Sequence, residues 1–231
     1  MIFVIVIGFM ILSFAVSARL KSKFRKYSQI ALRNGMSGRQ IAEKMLADHG
    51  LYNVQVTCVP GELTDHYNPA NTTVNLSEVV YYGNSAASAA VAAHECGHAI
   101  QHATAYSMLE FRSAMVPIQN VSAKLLNIIM LATFFGGFVI FQAIPIKMVL
   151  LIIIGAYTVL TLFSLVTLPV EFDASRRATQ WLERTGLTVG QESAISKDAL
   201  HWAAMTYVVA ALGSLVMLGY YVLQFMGMSD D

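Results

Sequence analysis

Charged residues are missing from four long stretches of the chain, 1–18, 125–146, 148–170 and 199–229, and each stretch is dominated by Leu, Ile, Val, Phe and Ala. A helix needs roughly 20 apolar residues, each rising about 1.5 Å, to cross a hydrocarbon core of about 30 Å. The pattern predicts membrane-spanning helices over about 1–18, 123–142, 148–168 and 204–226. Pro145 separates the second from the third, and Pro169 is expected to end the third and to open a new helix from Val170 to about Thr185. The basic cluster Arg19, Lys21, Lys23, Arg25 and Lys26 follows the first apolar run instead of preceding it. That order argues for an uncleaved anchor over a secretory signal peptide.

Between the spans the pattern changes. Ser37 to Leu46 reads as an amphipathic helix, with Ile41, Met45 and Leu46 on one face and Gly50 beyond its end. Val54 to Val59 alternates with period two, as a strand does, and Pro60-Gly61 turns it. Thr64 to Pro69 reads as a loop, followed by a second short strand over Thr72–Leu76. A helix capped at Asn84 or Ser85 runs to about Thr104. Its first half is nearly all Ala, Ser and Val, so another element should pack close to its backbone.

Composition agrees with a membrane protein. Hydrophobic residues make up 56% of the chain and charged residues 13%, against about 25% charged in a soluble domain. A formal charge of +1 provides no field to recruit a polyanion, so a nucleic-acid partner is excluded along with disorder and coiled coil. Cys58 and Cys96 are too few for a disulfide framework. Ten Lys and Arg fall in 19–124 and four in 169–203, while the 143–147 turn holds only Lys147. The positive-inside rule therefore puts the two long polar segments in the cytoplasm and both termini, with Asp230 and Asp231, outside.

The organisation expected is a first span (1–18), a cytoplasmic α+β region (19–122), a hairpin of two spans (123–168), a cytoplasmic helical segment (169–203) and a last span (204–226). The fold class is a mainly α membrane protein of four transmembrane helices with a small α+β region.

His94-Glu95-Cys96-Gly97-His98 on the Ala-rich helix is an H-E-x-x-H motif. At about 100° and 1.5 Å per residue, the two histidines lie about 40° apart and about 6 Å along the axis, so both imidazoles can reach one Zn²⁺. Glu95, about 100° from His94, stands beside the ligands, where it can act as general base on water. Cys96 points away and reads as a small buried residue. His102 continues the stripe but lies about 9 Å up the axis from the pair, outside ligand reach.

A tetrahedral catalytic zinc needs one more protein ligand. The candidates are Glu110, Glu171, Asp173, Glu183 and His201. Two crossings return Glu171 to the face that bears His94, and Asp173 points about 200° away from it on the same helix.

His94 to Gln101, preceded by Asp65-His66-Tyr67 and Leu76-Ser77 and followed by Pro169-Val170-Glu171-Phe172-Asp173-Ala174-Ser175-Arg176-Arg177-Ala178, resembles the YugP-type neutral zinc metallopeptidases, bacterial integral-membrane proteins. The resemblance covers most of 20–210 and implies a zinc-dependent membrane peptidase of gluzincin-like ligation, one Zn²⁺ per chain, with Glu171 as the third ligand. It also implies the bacterial inner membrane as location, lipids as surroundings, and a peptide or protein, membrane proteins included, as substrate. The arrangement is similar, more distantly, to the HtpX and CAAX prenyl protease families, where Glu-x-x-x-Asp supplies the ligand and an outer carboxylate. Here Ser175 stands at the Asp position, and its hydroxyl can still orient a histidine.

Thr72–Leu76 is placed like the edge strand on which zincins bind extended substrate. His201 and Tyr207, entering the last span from the catalytic face, could donate to an oxyanion or anchor the helix at the interface beside Trp202. Two other readings remain. One is an intramembrane protease with the motif inside a span, although 79–94 is too polar for a good one. The other is a metal-binding transporter or scaffold, which usually places ionisable residues at the middle of its spans.

Overall fold

The computed structural model describes residues 2–228; the expectation for Asp230 and Asp231 lies outside that range. The described residues form seven helices and a three-stranded sheet, a mainly α membrane protein with a small α+β region. Four helices are long and apolar enough to cross a membrane: α1 (Ile2–Tyr27), α5 (Ser107–Ala143, apolar through Gly136), α6 (Ile146–Arg184) and α7 (Gln191–Gly227). The chain folds as two compact units.

The first unit comprises Met1–Ser13, Phe111–Leu168 and Tyr207–Asp231. Its helices pack through small or slender side chains, with Val149, Ile153, Ala156, Val209 and Ala211 buried. Tyr157 stacks on Tyr221 with ring centroids 5.4 Å apart. Phe3, Phe134, Phe135 and Leu223 are largely exposed. In water such a surface would drive association; in lipid it is ordinary.

The second unit, Phe14–Glu110 with Pro169–Thr206, carries the polar chemistry. Helix α2 (Gly38–Asp48) opens on a capping box, in which the Ser37 hydroxyl accepts from the Gln40 amide and the Gln40 side chain accepts from the Ser37 amide. Its apolar face, Ile41, Ala42, Met45 and Leu46, packs on α4 (Ala86–Ala103), whose Ala and Ser residues let the two backbones approach. The Cys96 thiol, fully buried, donates to the Ala42 carbonyl at 3.6 Å. Ser85 caps α4, its hydroxyl accepting from the Ser88 amide at 3.1 Å.

Strands β1 (Gln55–Val59), β2 (His66–Asn68) and β3 (Thr73–Ser77) form a sheet of order β1-β3-β2, with β1 parallel and β2 antiparallel to β3. The short helix α3 (Glu78–Tyr81) then leads to α4. Two expectations are corrected here. The strand over Thr72–Leu76, expected as a sheet edge, is not one: β3 is paired on both sides and buried along its whole length, and the edge near α4 belongs to β2, expected as loop. Three residues are too few to show a period, and His66-Tyr67-Asn68 forms a strand because β3 supplies its partners.

The second correction concerns Pro169, which lies inside α6. A proline there removes one helical hydrogen bond at a cost of about 3 kcal/mol. Val170, Ala174 and Ala178 recur at i, i+4 and i+8 and are fully buried in the second unit. Burying that stripe offsets the loss and keeps α6 continuous. Helix α5 likewise contains Pro117 and is kinked at Gly136, with φ −145° and ψ 17°.

Candidate metal centre

Helix α4 presents His94 and His98 one turn apart, and their Nε2 atoms stand 3.2 Å from each other with the rings at 84°. Helix α6 crosses close by, because Gly97 leaves its face bare where the Ala174 backbone passes. That crossing brings Glu171 Oε2 to 3.3 Å from His94 Nε2 and 3.6 Å from His98 Nε2. Glu171 is only 3% exposed. The three donor atoms form a nearly equilateral triangle, and the three residues could hold a metal ion. A regular tetrahedron with metal bonds of 2.0–2.1 Å has edges of about 3.4 Å, so the spacing fits Zn²⁺.

The donors behind the triangle indicate its protonation. The Gln101 amide nitrogen donates to the Val170 carbonyl at 2.8 Å and to Asp173 Oδ2 at 2.9 Å, both pure acceptors. The Gln101 oxygen therefore faces His98 Nδ1, at 3.0 Å, and can only accept. His98 carries its proton on Nδ1 and turns a bare Nε2 toward the triangle. His94 Nδ1 meets the Ser175 hydroxyl at 3.1 Å, a partner that allows the same tautomer. Two imidazole lone pairs and a carboxylate then face one point. Burial works to lower the pKa of His98, but the Glu171 carboxylate outweighs it and holds the imidazole above its ordinary value. A proton relieves this crowding of acceptors only in part; a divalent cation relieves it for all three.

Glu95 is buried beside the pair. Burial pushes its carboxyl up, the two histidines oppose the shift, and the charges of Glu171 and Asp65 reinforce it. Asp65, at the head of β2, accepts from the Ser77 amide at 2.7 Å and from the Ser77 hydroxyl at 3.0 Å, which ties the β2 loop to the end of β3.

A family model described as "Putative neutral zinc metallopeptidase" matches residues 2–226. The chain belongs to this neutral zinc metallopeptidase family. It is 38% identical over 220 residues, 95% of its length and 94% of the relative's, to a protein of Bacillus subtilis (strain 168) named "Putative membrane protease YugP". No solved structure matches. Membership agrees with the donor set just described: zinc is the metal the family name implies, and hydrolysis is the class of chemistry.

The remaining sequence candidates have other surroundings. Asp173 pairs with Arg176 and, at 2.6 Å, with Arg177, and reaches His98 only through Gln101. Glu183 pairs with Lys197 at 2.7 Å. Glu110 is exposed. His201 is exposed and stands edge-on to Trp202, with centroids 6.2 Å apart. His102 Nδ1 is 2.8 Å from the Tyr67 hydroxyl of β2. Tyr207 falls in the other unit. Gln101 and Asp65 were not singled out as site residues. Gln101 is the one amide side chain in α4, one turn past His98 and fully buried, so its position on the ligand stripe was the available signal.

Proposed function

We propose that this protein is a membrane-embedded zinc peptidase in which His94, His98 and Glu171 hold a single Zn²⁺ and Glu95 is the general base. The observation that carries this reading is the triangle of 3.2, 3.3 and 3.6 Å between two imidazole nitrogens and a buried carboxylate. When bound, Zn²⁺ supplies Lewis acidity, polarising a peptide carbonyl and making water a stronger acid. Glu95 takes the proton of the attacking water and delivers it to the departing amine. Its upward-shifted carboxyl suits both halves of that transfer, since it can hold a proton between them. Gln101 and Ser175 keep the imidazoles turned with Nε2 inward.

An extended peptide adds to the unpaired edge of β2, where main-chain hydrogen bonds hold it and leave side-chain preference to the surroundings. His102, His201 and Tyr207 are the groups available for oxyanion or outer contacts. The catalytic unit is assigned to the cytoplasmic side of a bacterial inner membrane and the termini to the outside, because fourteen of the fifteen Lys and Arg lie in the two segments 19–124 and 169–203.

The deciding experiment compares wild type with Glu95→Gln, purified in detergent, for zinc content and peptide hydrolysis. Zinc should stay near wild type while turnover falls by more than about 10²-fold, the scale expected of a general base. Undiminished turnover in the variant refutes the mechanism.

A further inference from the structure

The polar end of α1 borders a cavity of about 270 Å³ that the peptidase chemistry does not use. Lys21 and Arg25 line it from α1, one turn apart on the same face. Neither makes an ion pair among the described residues, although Glu62 also lines the cavity. Lys23, between them in sequence, is neutralised by Asp198 at 2.8 Å and donates to the Tyr27 hydroxyl at 3.0 Å. Two like charges at i and i+4 repel, and here both face one hollow. Ser28 and Gln29 extend the polar lining.

Apart from Ser77, the rest of the lining is apolar. Leu63 is 38% exposed and held in the left-handed region at φ 57°, and Val79 is 44% exposed. Phe24 joins them from α1. An inorganic anion has no use for such a wall. A group that carries a phosphate at one end and methylenes at the other would use all of it.

Depth along α1 supplies the third observation. The helix has no charge through Ala18. Counted from there, Lys21 and Arg25 lie about 4–11 Å further along the axis. The headgroup layer of a bilayer is about 5–8 Å thick on each side. The two cations thus begin where lipid phosphates lie.

We propose that this cavity binds the phosphate headgroup of an anionic phospholipid, with Lys21 and Arg25 on the phosphate and Phe24, Leu63 and Val79 against the glycerol and first methylenes. The inference rests on α1 crossing the membrane and is independent of the peptidase reading.

The test uses the full chain in detergent, with phosphatidylglycerol or phosphatidylcholine added and lipid retention measured by native mass spectrometry. Wild type should retain phosphatidylglycerol in preference. Lys21→Ala and Arg25→Ala, both at exposed positions, should each lower that preference about fivefold, the usual strength of one basic side chain at an anionic surface. Leu63→Asp should lower it further. Lys26→Ala, an exposed cation of the same helix outside the cavity, should change it less than twofold. Equal losses for Lys26→Ala and Lys21→Ala would show a diffuse charge effect and overturn the site. Displacement of the lipid by millimolar inorganic phosphate would overturn the lipid assignment in favour of a free anion. An acidic peptide that displaces it at micromolar concentration would make the cavity a substrate subsite instead.

Discussion

Replacing Gly97 by alanine should separate the proposed metal ligands without touching any of them. A Cβ at Gly97 would lie 2.7 Å from the Ala174 carbonyl oxygen, 3.1 Å from its Cα and 3.2 Å from its carbonyl carbon. All three are backbone atoms, so no rotamer change relieves the clash. Ordinary contact begins at 3.4 Å, so α6 must retreat by about 0.7 Å. Ala174 sits between Glu171 and Ser175 in sequence, and both would move with it. A carboxylate ligand to zinc has a window of about 2.0–2.2 Å, so a shift of that size breaks or badly strains the bond. Zinc affinity should fall by about 10–100-fold, as when a supporting group is lost, and overpacking should cost about 1–3 kcal/mol of stability. Competition with a chromophoric chelator measures the first, and thermal unfolding at saturating zinc the second. Gly155→Ala and Gly219→Ala, where nothing lies within 4 Å of the added carbon, are controls that should change neither. Wild-type zinc affinity in Gly97→Ala would show that the α4–α6 approach does not set the ligand geometry.

Glu171→Ala should lose zinc outright, while Glu110→Ala, Glu183→Ala and His201→Ala should keep it; metal analysis of the purified variants decides, and retained zinc in Glu171→Ala removes it from the ligand set. Gln101→Leu should lower zinc affinity about 10–100-fold by freeing the His98 tautomer, and Asp173→Ala should follow in the same direction with a smaller loss, measured by the same competition. Reporters fused at about Ser107 and Gln191 should both read cytoplasmic; opposite readouts would put a bilayer between His94 and Glu171 and exclude a shared metal.

The histidine pair was legible because its geometry is local: four residues of helix dictate it, and the cap at Ser85 and the Ala-rich run mark that helix in the sequence. Glu171 needed both the count of membrane crossings, which left other candidates open, and the family resemblance, since no local period connects it to His98. The support behind the ligands was not legible in that way. Gln101 acts through Asp173, 72 residues along the chain, and Asp65 through Ser77, 12 residues along, and each link exists only once the elements have packed. The helix period alone turns Asp173 away from Glu171 and gives it no part in the site. It does turn away, and it meets the amide that holds the other ligand. Pro169 misled for a related reason: a local rule for ending helices was outweighed by the burial of Val170, Ala174 and Ala178.

The proposed metal donors come from two helices, α4 and α6, with the apolar lengths of α5 and of α6 itself between them in the chain. During synthesis His94 and His98 emerge well before Glu171. On the topology proposed, Glu171 can join them only after both intervening segments have entered the bilayer and returned the chain to the same side. Until then only two imidazoles are present to grip zinc, and the proposed peptidase has little means of cutting its neighbours. Under the function proposed above, separating the ligands across a membrane hairpin makes completed insertion a condition of activity, so the fold times its own activation.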